Sequence, residues 1–233
     1  MNISGRTALV TGGQRGLGRA LAAALLDAGA TTVHVTARRP VPSDDPRLRP
    51  VELEVTDAAQ VAALAQRLGD VSIVVNNAGV DRSTDLLTGD FADVRDEFEV
   101  NVLGLLAVSR AFAPVLAAAG GGALLNVHSA LSWGSAGNGY SASKAAAWSV
   151  TNGLRAALAP AGTLVTGLHL GYTDTDMTAH VDAPKNDPRD VARAAVQGIL
   201  DDATEVLADD TSRFVKSALA GDPVHLGLAR AAA

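Results

Sequence analysis

Short β-rich runs alternate with Ala- and Leu-rich stretches of helical spacing along almost the whole chain. That alternation restricts the fold more than any other feature. Candidate strands are Thr7–Thr11, Thr32–Thr36, Pro50–Val55, Val71–Asn76, Ala123–His128, Leu164–Leu170 and Glu205–Ala208. Most are near-continuous apolar runs, as strands covered on both faces of a parallel sheet require. Between them Leu17, Leu21 and Leu25 form one helical stripe and Val61, Leu64 and Leu68 a second. Val150, Leu154 and Leu158 form a third. Gly29 and Gly69 stand where helices should end. Residues 40–49, with three prolines and paired aspartates, read as an exposed loop. Strands joined through helices imply right-handed crossovers. The expected fold is α/β: a doubly wound parallel sheet of about seven strands with helices on both faces.

A chain of 233 residues fits one such domain over 1–233, and no linker interrupts it. Aromatics are only 3% and net charge is −6, which argues against stacking on nucleic acid and against a basic surface for nucleic acid or anionic lipid. With no cysteine, disulfides and thiolate chemistry are excluded. The five histidines lack metal-ligand spacing, so no metal is expected. Met1–Arg6 does not resemble a signal peptide, and no apolar run looks long enough to span a bilayer. A soluble, cytoplasmic protein is expected.

The turn Thr11-Gly12-Gly13-Gln14-Arg15-Gly16-Leu17-Gly18 follows the first strand and opens the first helix. Glycines there permit a tight turn and let backbone N–H groups approach a pyrophosphate at a helix N-terminus. In a doubly wound pattern this marks a Rossmann-type dinucleotide site, although the first glycine gap is wider than in G-x-G-x-x-G. An acid at the end of the second strand would accept hydrogen bonds from a ribose diol. None stands at Thr36; Arg38 and Arg39 follow instead. Two guanidinium groups suit a 2′-phosphate, and Arg15 could close on the same phosphate. NADP(H) is therefore favoured over NAD(H); the rival reading is a solvated basic loop.

Tyr140 and Lys144 stand four positions apart on a helix, one turn above each other. An ammonium there favours phenolate, which predicts a tyrosine pKa drawn toward neutrality. Such a group can give a proton to a carbonyl oxygen or take one from an alcohol.

Together these pieces resemble the short-chain dehydrogenase/reductase family from Gly5 to about Asp210. Asn76-Asn77-Ala78-Gly79 is similar to the motif closing the family's fourth strand, Asn101 to its active-site asparagine, and Ser129 to its catalytic serine. Gly171–Thr175 resembles the segment that contacts the nicotinamide. The resemblance implies a catalytic set of Asn101, Ser129, Tyr140 and Lys144. It implies cofactor contacts from Gly12, Gln14, Arg15, Gly16, Leu17, Gly18, Arg38, Arg39, Glu54, Val55, Asn77, Ala78 and Gly79. Tyr140, Lys144, Thr173 and Thr175 complete that set. Ser129 would hold the substrate oxygen, Lys144 would tune Tyr140 and bond the nicotinamide ribose, and Asn101 would fix a proton-relay water. The implied substrate is a small carbonyl compound or alcohol, and the implied assembly a homodimer or homotetramer.

Four departures stand out. Tyr140 follows Ser129 by only eleven positions, Leu170 replaces a proline, Glu54-Val55 replaces Asp-Val, and the stretch from Tyr172 to Pro188 is short for a substrate lid. The proline's loss predicts a looser turn. Trp133 and Tyr172 are either pocket walls or core-edge caps, and Asp174 and Asp176 read as a solvated loop or helix start. His128 adjoins Ser129, but neighbours on a strand face opposite ways, so they should not pair. Alternatives of other kinds are an NAD(H)-preferring relative, a non-catalytic cofactor sensor, and an epimerase or dehydratase. The last needs more C-terminal sequence than follows the final strand.

Overall fold

The computed structural model describes residues 1–227. Its strands are β1 (Thr7–Val10), β2 (Thr32–Ala37), β3 (Leu48–Glu52), β4 (Val71–Asn76), β5 (Gly122–Val127), β6 (Thr163–His169) and β7 (Glu205–Leu207). The α-helices are α1 (Gly16–Asp27), α2 (Ala58–Arg67), α3 (Phe91–Phe98), α4 (Leu105–Ala118), α5 (Gly139–Leu158), α6 (Pro188–Leu200) and α7 (Asp210–Ala218).

β1 shows how the sequence builds two layers. Side chains alternate across a strand, so Ala8 and Val10 enter one core while Leu9 enters the other. The first core takes Leu21 and Leu25 of α1 with Val191, Ala195 and Ile199 of α6. The second takes Val61 and Leu64 of α2 with Val108, Phe112 and Leu116 of α4. All seven strands are parallel, in the order β3-β2-β1-β4-β5-β6-β7. The order reverses between β1 and β4, and the crevice beyond the strand ends there is where such sheets bind ligands.

Two expectations need correction. β3 runs Leu48–Glu52, not Pro50–Val55, because Leu48 pairs with Val33 and Pro50 with Val35. As an edge strand, β3 has one side without ladder partners, which is where a proline can be tolerated. Second, Phe91–Ala118 is continuously helical over 28 residues and holds an 18-residue stretch with a mean hydropathy of 1.7, long and apolar enough, by length and composition alone, to cross a bilayer. Its apolar face is used within the fold, where Val108, Phe112 and Leu116 are fully buried against the sheet.

Buried amides lock the layers together. Asn76 Nδ2 donates to Ser109 Oγ and to Asn126 Oδ1, both at 2.9 Å. Asn126 Nδ2 in turn donates to Thr151 Oγ1 at 2.8 Å. One chain of hydrogen bonds thus joins α4, β4, β5 and α5, and it fixes the strand ends from which the site is built.

Candidate active site

α1 begins differently from its neighbours. Asp57, Asp90, Asn138, Asp187 and Asp209 cap α2, α3, α5, α6 and α7 through their side chains. The α1 N-terminus has no side-chain cap and no acid in its first turn. Its orphan N–H groups and the positive end of its dipole favour an anion. The glycine turn before it is folded tightly on itself. A Cβ at Gly18 would lie 2.2 Å from Gly12 O, and one at Gly13 2.9 Å from Val35. Gly12 and Gly16 hold positive φ of 62° and 50°. Asn77 braces the turn by donating from Nδ2 to Thr11 O and Gly12 O at 2.9 and 3.2 Å. Ala78 N donates to Thr11 Oγ1 at 3.0 Å. This shape and polarity fit a dinucleotide pyrophosphate.

Other expected cofactor residues surround the cradle. Leu17 packs on the first core. Val55 is buried and would touch a Cβ at Gly104. Glu54 Oε1 accepts a bond from Thr56 N at 3.4 Å. Arg38 and Arg39 are exposed. Their loop is fixed by Gln14, whose Nε2 donates to Val41 O at 2.7 Å while Oε1 accepts from Val41 N at 3.0 Å. Arg15 does not join the other arginines: its Nη1 lies 3.4 Å from Asp176 Oδ2.

The catalytic candidates meet at the ends of β4 and β5. Lys144, buried on α5, donates from Nζ to Val127 O at 3.0 Å and lies 5.6 Å from the centre of the Tyr140 ring. Ser129 lies near enough to the Tyr140 phenol for its hydroxyl to oppose part of the upward pull of burial. Asn101 lies in a π-helical segment, Glu99–Gly104, between α3 and α4. Its Nδ2 donates to Val80 O and Ser143 Oγ, and its Oδ1 accepts from Val80 N, each at 2.9 Å. Gly79 allows close approach here, since a Cβ would lie 3.1 Å from Asn101 Oδ1 and 3.7 Å from Lys144 Nζ.

Similarity to known proteins spans these residues. The short chain dehydrogenase family model matches residues 6–186. This chain belongs to the short-chain dehydrogenase/reductase family. It is 30% identical to the ketoacyl reductase HetN of Nostoc, over 89% of this chain and 79% of that protein. It is also 30% identical to the 3-oxoacyl-[acyl-carrier-protein] reductase FabG of Vibrio harveyi, over 84% and 90%. Among solved structures, a short chain dehydrogenase from Burkholderia cenocepacia in complex with NADP superposes with a TM-score of 0.91. Its identity is 38%, and 97% of each chain is covered. The chain is thus an oxidoreductase of this family, and its neighbours support a general reductase role.

The Tyr140 phenol is not drawn toward neutrality. Burial pushes the Tyr140 phenol up, Asp81 adds to that, and the Ser129 hydrogen bond only partly opposes it. The Lys144 ammonium donates to the Val127 carbonyl, and the net direction for the phenol is upward rather than the fall that the spacing predicts.

Sequence reasoning missed what supports Ser129. His169 Nδ1 lies 3.3 Å from Ser129 O, and Trp133 stacks on the His169 ring at 3.8 Å and 14°. Burial lowers the His169 pKa to about 3. The neutral ring therefore carries a single N–H, and bonding the Ser129 carbonyl places it on Nδ1. Trp133 is thereby a buried support rather than a pocket wall, while Tyr172 stays exposed. His128 is buried, with burial holding its pKa well below the ordinary value and neither ring nitrogen partnered. It is not a base for Ser129.

Burial also lowers the Lys144 pKa to about 8, from 10.5. Between those values the unfolded chain binds the proton that the folded chain releases, so this group adds stability as pH rises. Below about 8 the buried ammonium is a net cost. Lys144→Met should therefore raise the melting temperature relative to wild type more at pH 7 than at pH 10. Paired thermal melts check this, and a pH-independent difference refutes it.

Proposed function

We propose that the chain interconverts a ketone or aldehyde and the corresponding alcohol with NADP(H), Tyr140 acting as general acid in reduction and general base in oxidation. What carries this reading is the meeting of Ser129, Tyr140 and Lys144 beside Gly79, at the strand ends next to an uncapped glycine-rich helix start. Gly12–Gly18 would hold the pyrophosphate, Arg38 and Arg39 the 2′-phosphate, and Thr173 and Thr175 the nicotinamide end. When bound, the nicotinamide supplies or accepts the hydride.

The chain's own residues manage the oxygen and its proton. The Ser129 hydroxyl orients the substrate oxygen and stabilises negative charge developing there. Tyr140 passes the proton. Lys144 places a positive charge beside the ring at neutral pH, and Asn101 braces Val80 with one Oδ1 lone pair left for a relay water. A cytoplasmic homodimer or homotetramer completes the proposal; exposed Leu87 and Phe91 offer apolar surface that association would cover.

The test is a panel of ketones, aldehydes and secondary alcohols, with the reduced nicotinamide followed at about 340 nm. Because the phenol is held above its ordinary value, carbonyl reduction should stay flat through neutral pH. Alcohol oxidation should keep rising above pH 9, roughly one unit below an unperturbed tyrosine. Cofactor binding without turnover of any panel member would instead favour a sensor.

A further inference from the structure

One carboxylate beyond the family-matched segment ties together three parts of the chain. Asp209 follows β7 and caps α7, its Oδ1 accepting from Ser212 N at 2.7 Å. Its other oxygen points away from the helix. Oδ2 accepts from Gly171 N at 2.6 Å and from Asn186 Nδ2 at 2.5 Å. Gly171 opens the loop after β6, and Asn186 closes it. Asn186 N donates to Tyr172 O at 2.8 Å, and Asp174 N donates to Asn186 O at 3.0 Å. Asp209 therefore sits at the neck of a loop that carries Thr173 and Thr175.

The body of that loop reaches the cofactor cradle. A Cβ at Gly16 would lie 3.2 Å from Thr175 Cγ2, and Asp176 meets Arg15 across the same gap. Gly171 is needed at the neck, since a Cβ there would come 3.1 Å from Thr211 Cβ. Leu170 stands where the family has a proline, which would stiffen the turn by fixing its φ. The turn is nonetheless not loose, because short charge-assisted bonds hold it. Burial pushes the Asp209 carboxyl up, but hydrogen bonds from Ser212, Gly171 and Asn186 outweigh this and leave it below its ordinary value. It is ionised at neutral pH and accepts all three.

We propose that Asp209 is a positioning residue for the cofactor, its Oδ2 clamping the 171–186 loop against the glycine-rich turn. The cofactor half of this rests on the function proposed above; the clamp itself does not. A helix cap alone would need only Oδ1, and one substitution separates the two roles. Asp209→Asn keeps an acceptor for Ser212 N, and asparagine caps helices well. It replaces Oδ2 by an amide that faces two donors.

Trypsin reads the clamp directly, because half-buried Lys185 lies in the loop next to Asn186. Asp209→Asn should melt close to wild type, yet be cut at Lys185 at least about tenfold faster and bind NADPH at least about tenfold more weakly, the scale of losing hydrogen bonds to a charged group. Asn186→Ala, which leaves the α7 cap untouched, should show a smaller change in the same direction. Wild-type rates of cleavage in both variants overturn the clamp. Faster cleavage with unchanged NADPH affinity overturns the cofactor role. Wild-type protein that binds no NADPH overturns the function proposed above, and the cleavage rates still decide the clamp.

Discussion

Tyr140→Phe is expected to lower kcat at least about a hundredfold, the lower end for general acid–base catalysis, while NADPH affinity stays near wild type. Phenylalanine keeps the ring, so the contact with the Lys144 ammonium, 5.6 Å from the ring centre, is preserved. Only the hydroxyl is lost, and with it the proton that the phenol retains through neutral pH. Neighbouring groups cannot replace it. Lys144 points one of its three N–H groups at the Val127 carbonyl and lies 5.6 Å from the ring centre, and Asn101 has spent both its amide protons. The turn proposed to hold the pyrophosphate is built by Gly12–Gly18 and braced by Asn77, on other elements, which is why binding should survive. The decisive comparison uses a substrate whose turnover shows a deuterium isotope effect, so that chemistry limits the rate. More than a tenth of wild-type kcat in the variant would remove Tyr140 from the mechanism.

Much of this was legible in the sequence because strand–helix alternation and local motifs are short-range signals. β1, β4 and the glycine turn lie close to where apolar runs and glycine spacing put them. β3 was misplaced because Pro50 and Val55 were read as the bounds of an apolar run. On an edge strand, however, pairing with β2 decides the register, and that pairing starts at Leu48. The π segment around Asn101 left no trace, since Glu99–Gly104 carries residues that suit a helix whichever way the backbone turns locally. The tyrosine's ionisation was misjudged for a related reason. Spacing shows that Tyr140 and Lys144 are neighbours, but not that the ammonium turns to Val127 O and that burial dominates the phenol. His169 and Trp133 meet Ser129 only through long-range packing, and nothing local marks them. Asp209 had a weak signal: an acid three positions before Ser212 at a helix start is a capping pattern. Its second oxygen, which reaches Gly171 and Asn186, is visible only in three dimensions.

Cofactor choice is the other property that two side chains should control with a large effect. Arg38 and Arg39 are exposed, and neither makes a side-chain hydrogen bond or ion pair among the described residues. Their loop is held to the glycine turn by both ends of the Gln14 amide. Arg15 is paired with Asp176, but both are about four-fifths exposed. Such surface pairs contribute about 0–1 kcal/mol and can be released cheaply. Each arginine–phosphate contact should be worth about 1.5–3 kcal/mol. Two of them give a preference for NADPH over NADH on the order of a hundredfold or more. An acid meant to reverse this preference needs an accessible position. Thr36 is buried, with its hydroxyl 3.4 Å from Gly12 N, so a carboxylate there would be enclosed. Ala37 ends β2, is partly exposed and directly precedes Arg38. Ala37→Asp combined with Arg38→Ala should repel the 2′-phosphate, offer the ribose diol an acceptor, and turn the preference toward NADH. Measuring kcat/KM for both cofactors in both proteins decides it. A wild-type protein that favours NADH would reduce Arg38 and Arg39 to a solvated loop.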